Sequence, residues 1–323
     1  MSTMSLNPIY QDLLQGVTCI DTNYHRPQLA ACYLVVQGDQ AAFIDTGTYH
    51  SVPLLLEVLR RKGIAREQVA YVMPTHVHLD HAGGAGELMR QLRNARLVIH
   101  PRGARHMIDP AKLTSGSIAV YGKEEFRRHF GELSPVPEDR VIIADDEFSL
   151  DFNGRALLFL DTPGHAKHHY SIYDERSNGF FTGDTFGLSY RELDGQNGPF
   201  IFPPTTPVHF NPTAWHDSIA RYLRLKPQRM FLTHYGMVTE VAKLADDLCH
   251  DIDKLAMIAQ QATDAPDRHH RILQNVTDYL LSRARESHPE HSAQRVQEVF
   301  ALDLELNTQG LEVWLDRQSR MRE

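Results

Sequence analysis

Residues 74–84 read PTHVHLDHAGG, and the rest of the chain is read outward from them. Three histidines and one aspartate (His76, His78, Asp80 and His81) fall within six positions. Imidazole nitrogen and carboxylate oxygen are preferred donors for zinc and other borderline transition metals. Alternate residues of an extended segment face the same way, so His76 and His78 can share one ion. The turn that follows aims Asp80 and His81 elsewhere. The cluster therefore suggests two metal positions side by side, each completed from later in the chain. The small residues Ala82, Gly83, Gly84, Ala85 and Gly86 let the backbone pass close to such a site before a helix starts.

The flanking sequence supplies a frame of strands and helices. Residues 17–21, 31–37 and 41–44 read as strands, with Gly38-Asp39-Gln40 turning between the last two. Asp45-Thr46-Gly47 then puts an acidic residue at a strand end. Ser51 and Pro53 open a helix that stops at Gly63. Residues 69–73 form the strand that delivers the chain to the cluster, 86–93 a helix and 96–100 another strand. This is the order of a layered α/β domain with chemical groups at strand ends. Residues 101–131 read as mainly helical, and strands resume at 141–144, 147–151, 156–160, 170–173 and 179–182.

Residues 186–212 break the pattern. They are rich in Gly, Pro and aromatics, and a loop this long in a compact domain is functional or disordered. Its aromatics argue for order. Phe186, Tyr190, Phe200, Phe202 and His209 are therefore candidates for a substrate pocket, together with Tyr235. Beyond the loop come a helix at 213–225, a strand at 230–233, and helices near 238–262, 266–285, 289–303 and 308–321. The expected division is 1–237 as the catalytic domain and 238–323 as a helical extension. No Gly/Ser-rich spacer separates them, so the extension should pack on the core, capping a pocket or forming a homodimer interface.

Composition narrows the function classes. The formal charge is −8 and no tract of five or more basic residues occurs, which argues against nucleic acid as a partner. Cys19, Cys32 and Cys249 are far apart and form no CxxC pair, as fits a reducing compartment. No apolar run reaches membrane-spanning length, and no basic segment followed by an apolar one marks a signal peptide. The expectation is a cytoplasmic protein with a small-molecule substrate. Of 19 histidines, His106, His129, His216, His250, His269, His270, His288 and His291 sit in polar, helix-like surroundings and read as surface or capping residues.

Three later positions repeat one grammar: strand end, small residue, metal donor. They are Asp161-Thr162-Pro163-Gly164-His165, Thr182-Gly183-Asp184 and Thr233-His234. With THVHLDHAGG at 75–84, DTPGHA at 161–166, TGD at 182–184, THYG at 233–236 and DTG at 45–47, the sequence resembles the metallo-β-lactamase-fold superfamily across roughly residues 17–236.

That resemblance implies an α/β fold, the αββα sandwich, with a two-metal site at one edge and, here, a C-terminal helical extension. It implies His76, His78 and His165 at the first metal, Asp80, His81 and His234 at the second, and Asp184 bridging them. This is the glyoxalase-II-like ligand set. It departs from secreted β-lactamases, which have cysteine in place of Asp184. Asp45 would orient a ligand imidazole or a loop N–H, and His169 would neighbour the site without binding metal. The implied activity is hydrolysis of a small ester, thioester or lactone by a hydroxide shared between two divalent metal ions, with Asp80 as ligand and catalytic group. Zinc is the first expectation, with iron and manganese suiting the same donors. The competing readings are an iron-dependent, persulfide-dioxygenase-like oxidoreductase, an RNA or phosphodiester hydrolase, and a metal-stabilised regulatory protein.

Overall fold

Short runs rich in β-branched and aromatic residues, bounded by turn residues, become the strands of the first half. In the computed structural model, which describes residues 7–287 and 292–320, these are β1 (Tyr10–Asp12), β2 (Val17–Asp21), β3 (Ala31–Gln37), β4 (Gln40–Ile44), β5 (Val69–Met73), β6 (Arg96–Ile99) and β7 (Val141–Ile143). They form one seven-stranded sheet in chain order. From β1 to β4 neighbours are antiparallel, and from β4 to β7 they are parallel.

Parallel neighbours need crossovers, and helices supply them. α1 (Val52–Arg61) links β4 to β5. α2 (Leu79–Ala82) and α3 (Ala85–Gln91) link β5 to β6. α4 (Pro101–Ile108), α5 (Ala111–Tyr121) and α6 (Lys123–Phe130) link β6 to β7. In α1 the apolar residues Val52, Leu55, Val58 and Leu59 recur at helical spacing, and all are buried. They join Leu88 and Met89 of α3, Met107 of α4, and Leu34, Phe43, Val72 and Leu97 of the sheet in one core cluster.

The other face of this sheet meets a second sheet. β8 (Phe148–Phe152), β9 (Arg155–Asp161), β10 (Tyr170–Asp174) and β11 (Gly179–Phe181) are successive antiparallel neighbours. Alternation sends Tyr33 of β3 to the side opposite Leu34, where its ring lies 5.2 Å from that of Phe181. Tyr71 meets Phe152 at 6.0 Å, and the Tyr170 hydroxyl donates to the Val98 carbonyl at 2.8 Å. The sandwich expected from the sequence is present. Because β4, β5 and β6 are parallel, their carboxyl ends share one edge, and Asp45, Thr75-His76 and His100 follow those ends. Ligand sites of α/β sheets form at such edges.

The chain divides into two units. The first runs to Asp161 and adds His168–Gly183 and Thr233–Gly236; the second comprises Thr162–Lys167, Asp184–Leu232 and the chain from Met237 onward. This division does not follow the 237/238 boundary read from the sequence. The later elements are α7 (Pro212–Arg224), β12 (Arg229–Leu232), β13 (Gly236–Val238), α8 (Val241–Gln261), α9 (Arg268–Ser287) and α10 (Ala293–Arg320), and β12 and β13 bring the second sheet to six strands. No described helix is long and apolar enough to cross a membrane.

The structure corrects one expectation among the helices. The separate helices at 289–303 and 308–321 are the single helix α10, unbroken through Asn307 and Gly310. Both residues are there for contacts, not for a turn. The Asn307 side chain accepts from Thr205 N at 2.7 Å and donates to the Pro203 carbonyl at 3.2 Å. A Cβ at 310 would lie 1.6 Å from the Thr205 carbonyl oxygen, so only glycine fits. His288 and His291, read as surface residues, lie outside the described residues.

Candidate metal centre

The first unit builds its part of the site around Asp45. This residue has a φ of +58°, in the left-handed region, and its side chain is buried. Oδ1 accepts from the backbone N–H of Thr75 at 2.7 Å and from its hydroxyl at 2.9 Å. Oδ2 accepts from Nδ1 of His81 at 2.9 Å and from the Thr233 hydroxyl at 2.7 Å. One carboxylate thus ties together the residue before His76, the ring of His81 and the residue before His234. The family resemblance implies an orienting role for Asp45; its other partners, Thr75 and Thr233, stand inside the motifs but are given no role there. α2 and the glycines after it close around the same loop, since Thr46 N–H donates to the His81 carbonyl at 2.7 Å and Gly84 N–H to the Gly47 carbonyl at 2.8 Å.

These contacts decide which ring nitrogen carries the proton. The Asp45 carboxylate can only accept, so Nδ1 of His81 donates and its Nε2 presents a lone pair. Likewise Nδ1 of His234 donates to the Leu29 carbonyl at 2.7 Å, leaving Nε2 as the basic nitrogen. The two Nε2 atoms lie 3.3 Å apart, and Oδ2 of Asp80 is 3.4 Å from Nε2 of His234 and 3.9 Å from Nε2 of His81. Three electron-rich atoms therefore converge. A tetrahedral zinc with bonds of about 2.0–2.1 Å has ligand atoms about 3.3 Å apart. Asp80, His81 and His234 fit such an ion, their donor atoms all within 4.8 Å of one another.

The other histidines of the cluster lie beside this group. The His76 ring is 4.5 Å from that of His78 and 4.0 Å from that of His81. Buried His169 comes within 4.9 Å of the His76 ring. Gly183, with a φ of +50°, makes room for it: a Cβ there would lie 2.4 Å from Nε2 of His169 and 2.7 Å from Oγ1 of Thr75. His168 stacks over His76 with ring centroids 6.2 Å apart.

In the second unit, the loop carrying His165 is fastened to α7. The Ser218 hydroxyl donates to the Pro163 carbonyl at 2.6 Å, and Asn211 N–H donates to the Gly164 carbonyl at 2.9 Å. Gly164, at φ +136°, lies so close to Trp215 that a Cβ would overlap it at 2.5 Å. Trp215 in turn donates from its indole to the Thr185 carbonyl at 2.6 Å, next to Asp184. Nδ1 of His165 donates to the Pro204 carbonyl at 2.9 Å, so its Nε2 is again the basic nitrogen. That atom lies 3.4 Å from Oδ2 of Asp184, a second pairing of lone pair with carboxylate.

The remaining candidates are placed as follows. Phe186, Tyr190, Phe200 and Phe202 are 0–2% exposed and pack inside the second unit. Phe186 meets Tyr222, Phe200 and Phe202 both meet Phe300, and the Tyr190 hydroxyl donates to the Asp303 carboxylate at 3.1 Å. His209 is half-buried in the same unit. Tyr235 is buried in the first unit, and burial, followed by the nearby Cys19 and Asp21, pushes its phenol upward. The sequence reading missed His100, which follows β6. Its Nδ1 accepts from Arg102 N at 3.0 Å and its Nε2 donates to Asp161 at 3.1 Å, capping α4 and tying it to the end of β9.

A sandwich fold carrying a donor set that could hold a metal points to one class of protein, and comparison with known proteins gives its family. The metallo-β-lactamase superfamily matches residues 25–234, more than half of the chain, so the chain belongs to that superfamily. A metallo-β-lactamase fold-containing protein of Sulfurisphaera tokodaii is 26% identical over 216 residues, covering 66% of this chain and 75% of the relative. A hydroxyacylglutathione hydrolase of Methylobacillus flagellatus is 29% identical over 164 residues, spanning 50% of this chain and 49% of the relative. A metallo-β-lactamase family protein of Thermus thermophilus shares the fold, with a TM-score of 0.66 at 19% identity over 95% of each chain.

Proposed function

We propose that this protein is a dinuclear metal-dependent hydrolase of a small ester, thioester or lactone. The observation that carries the reading is the convergence of Nε2 of His81, Nε2 of His234 and Oδ2 of Asp80 in a chain of this superfamily. In this reading these three residues would hold one divalent ion. By the superfamily's ligand pattern, His76, His78, His165 and Asp184 would be the ligands of the other. When bound, the ions supply hydroxide near neutral pH and polarise the reacting carbonyl. The chain's own residues do the rest. Asp45 holds the His81 ring in the tautomer that offers Nε2, as carboxylates behind metal-binding histidines do. Asp80, partly exposed, orients the attacking water and accepts its proton. The similarity to a hydroxyacylglutathione hydrolase of Methylobacillus supports a thioester among the acyl classes. Zinc suits the donors best, and iron or manganese can take the same positions.

The test is a substrate panel on the full chain loaded separately with zinc, manganese or iron. Thioesters, esters, lactones and phosphodiesters are compared. At least one acyl substrate should turn over, and Asp80→Asn should lower kcat by about 10²–10⁴-fold while the protein stays folded. No acyl turnover with both positions filled would overturn the reading.

A further inference from the structure

The metal-binding residues leave a basic cavity on the first unit without a role. Tyr24, His25, Thr48, His50, Arg128 and His129 are among its lining residues, and its volume is about 490 Å³, within the range of small-molecule sites. The His25 and His129 rings lie 4.4 Å apart. The Glu125 carboxylate accepts from Nη2 of Arg128 and lies 3.1 Å from Nε2 of His129, which braces both side chains from α6. Asn23 and His25 have φ values of +54° and +55°. Backbone strain of this kind in non-glycine residues persists where the surroundings enforce it and clusters at ligand sites. The His25 ring lies against His129 of α6.

Packing joins this cavity to the metal-binding motif. Leu79, the residue before Asp80, clusters with Phe126 and Phe130 of α6, and Tyr24 packs against the same cluster. Thr48 follows Gly47, whose carbonyl accepts from Gly84 of the motif. The His25 imidazole is held below the ordinary histidine range, first by burial and then by its neighbours His129 and Arg128, while Asp80 opposes them. Three imidazoles and a guanidinium thus crowd one cavity, with Glu125 at its edge.

We propose that this cavity binds a carboxylate group carried by the substrate, so that the enzyme prefers acyl compounds with an anionic arm. The Arg128 guanidinium fork, exposed at the cavity and flanked by imidazole rings, matches a planar carboxylate. The inference rests on the hydrolase reading for its link to turnover, and on the cavity alone for anion binding.

Two experiments separate these. On the metal-loaded full chain, kcat/KM is compared for succinyl and butyryl thioesters of one thiol. The wild-type ratio should favour succinyl by about tenfold or more. Arg128→Ala should remove that preference through KM, and Arg128→Lys should restore part of it. Independently, succinate should shift the ring NMR signals of His25 and His129 in the wild type and leave them unmoved in Arg128→Ala. Equal ratios in wild type and Arg128→Ala, or signals that succinate never moves, overturn the proposal, as does a response to inorganic phosphate in place of succinate. If succinate moves the signals while no acyl compound turns over, the cavity assignment stands and the hydrolase reading falls.

Discussion

Oδ2 of Asp45 accepts from Nδ1 of His81 at 2.9 Å, and the same oxygen accepts from the hydroxyl of Thr233, the residue before His234. One atom therefore sets the orientation of one candidate ligand and the entry of the chain into another. The lone pair on Nε2 of His81 points toward Asp80 and His234 because the opposite side of its ring is committed to Asp45.

Asp45→Asn tests that arrangement. The amide nitrogen cannot accept, so either the His81 or the Thr75 contacts lose a partner. Metal affinity at the Asp80, His81 and His234 position should fall about 10–100-fold, read by competition with a chromogenic chelator. An affinity equal to wild type would show that His81 needs no support from Asp45.

Gly183→Ala should be severe for a single methyl. The φ of +50° strains any L side chain, and the new Cβ would press on both His169 and Thr75. The backbone term alone is about 1–3 kcal/mol. A drop in melting temperature should be visible by calorimetry, and a variant as stable as wild type would contradict the packing described for His169.

Gly310→Ala makes the opposite point to helix propensity. In an exposed helix interior the change gains about 1 kcal/mol. Here the Cβ would collide with the Thr205 carbonyl oxygen. Urea unfolding should report a loss of stability, and a gain would mean that α10 does not press on residues 205–206.

The expected pH dependence comes from Asp251 in α8. Its side chain is buried, and burial pushes its carboxyl up to about 6 even though Arg283 and Tyr279 oppose that shift. The folded pKa lies above the unfolded one, so the protonated acid favours the folded state. The stability linked to it is present below about pH 4, where the unfolded carboxyl also holds its proton, and is lost as pH rises through about 6. Asp251→Asn should flatten the fall in unfolding free energy between about pH 4 and 7. An unchanged slope would place the pH dependence elsewhere.

Legibility of the sequence tracked how local each feature is. PTHVHLDHAGG and the strand-end groups Asp161 to His165, Thr182 to Asp184 and Thr233-His234 are short patterns, readable without knowing what they meet. The strands from β2 to β11 follow from alternation and turn residues in the same way. Features set by distant partners stayed hidden. Asn307 and Gly310 looked like a helix break because their reasons lie at residues 203–206. His129 looked like a surface residue because its neighbour His25 is far away along the chain. The aromatics at 186–202 read as a pocket because nothing local shows that Phe300 and Asp303 pack against them. β1 was missed because three mostly polar residues carry no alternation, and only pairing with β2 makes them a strand.

In the proposed reading the chain has two metal positions, and His234 serves only one of them. Metal content by inductively coupled plasma mass spectrometry, on full-length protein loaded with zinc and then desalted, tests this most directly. Two equivalents per chain are predicted for the wild type and one for His234→Ala. A single equivalent in the wild type, or two in the variant, would contradict the account.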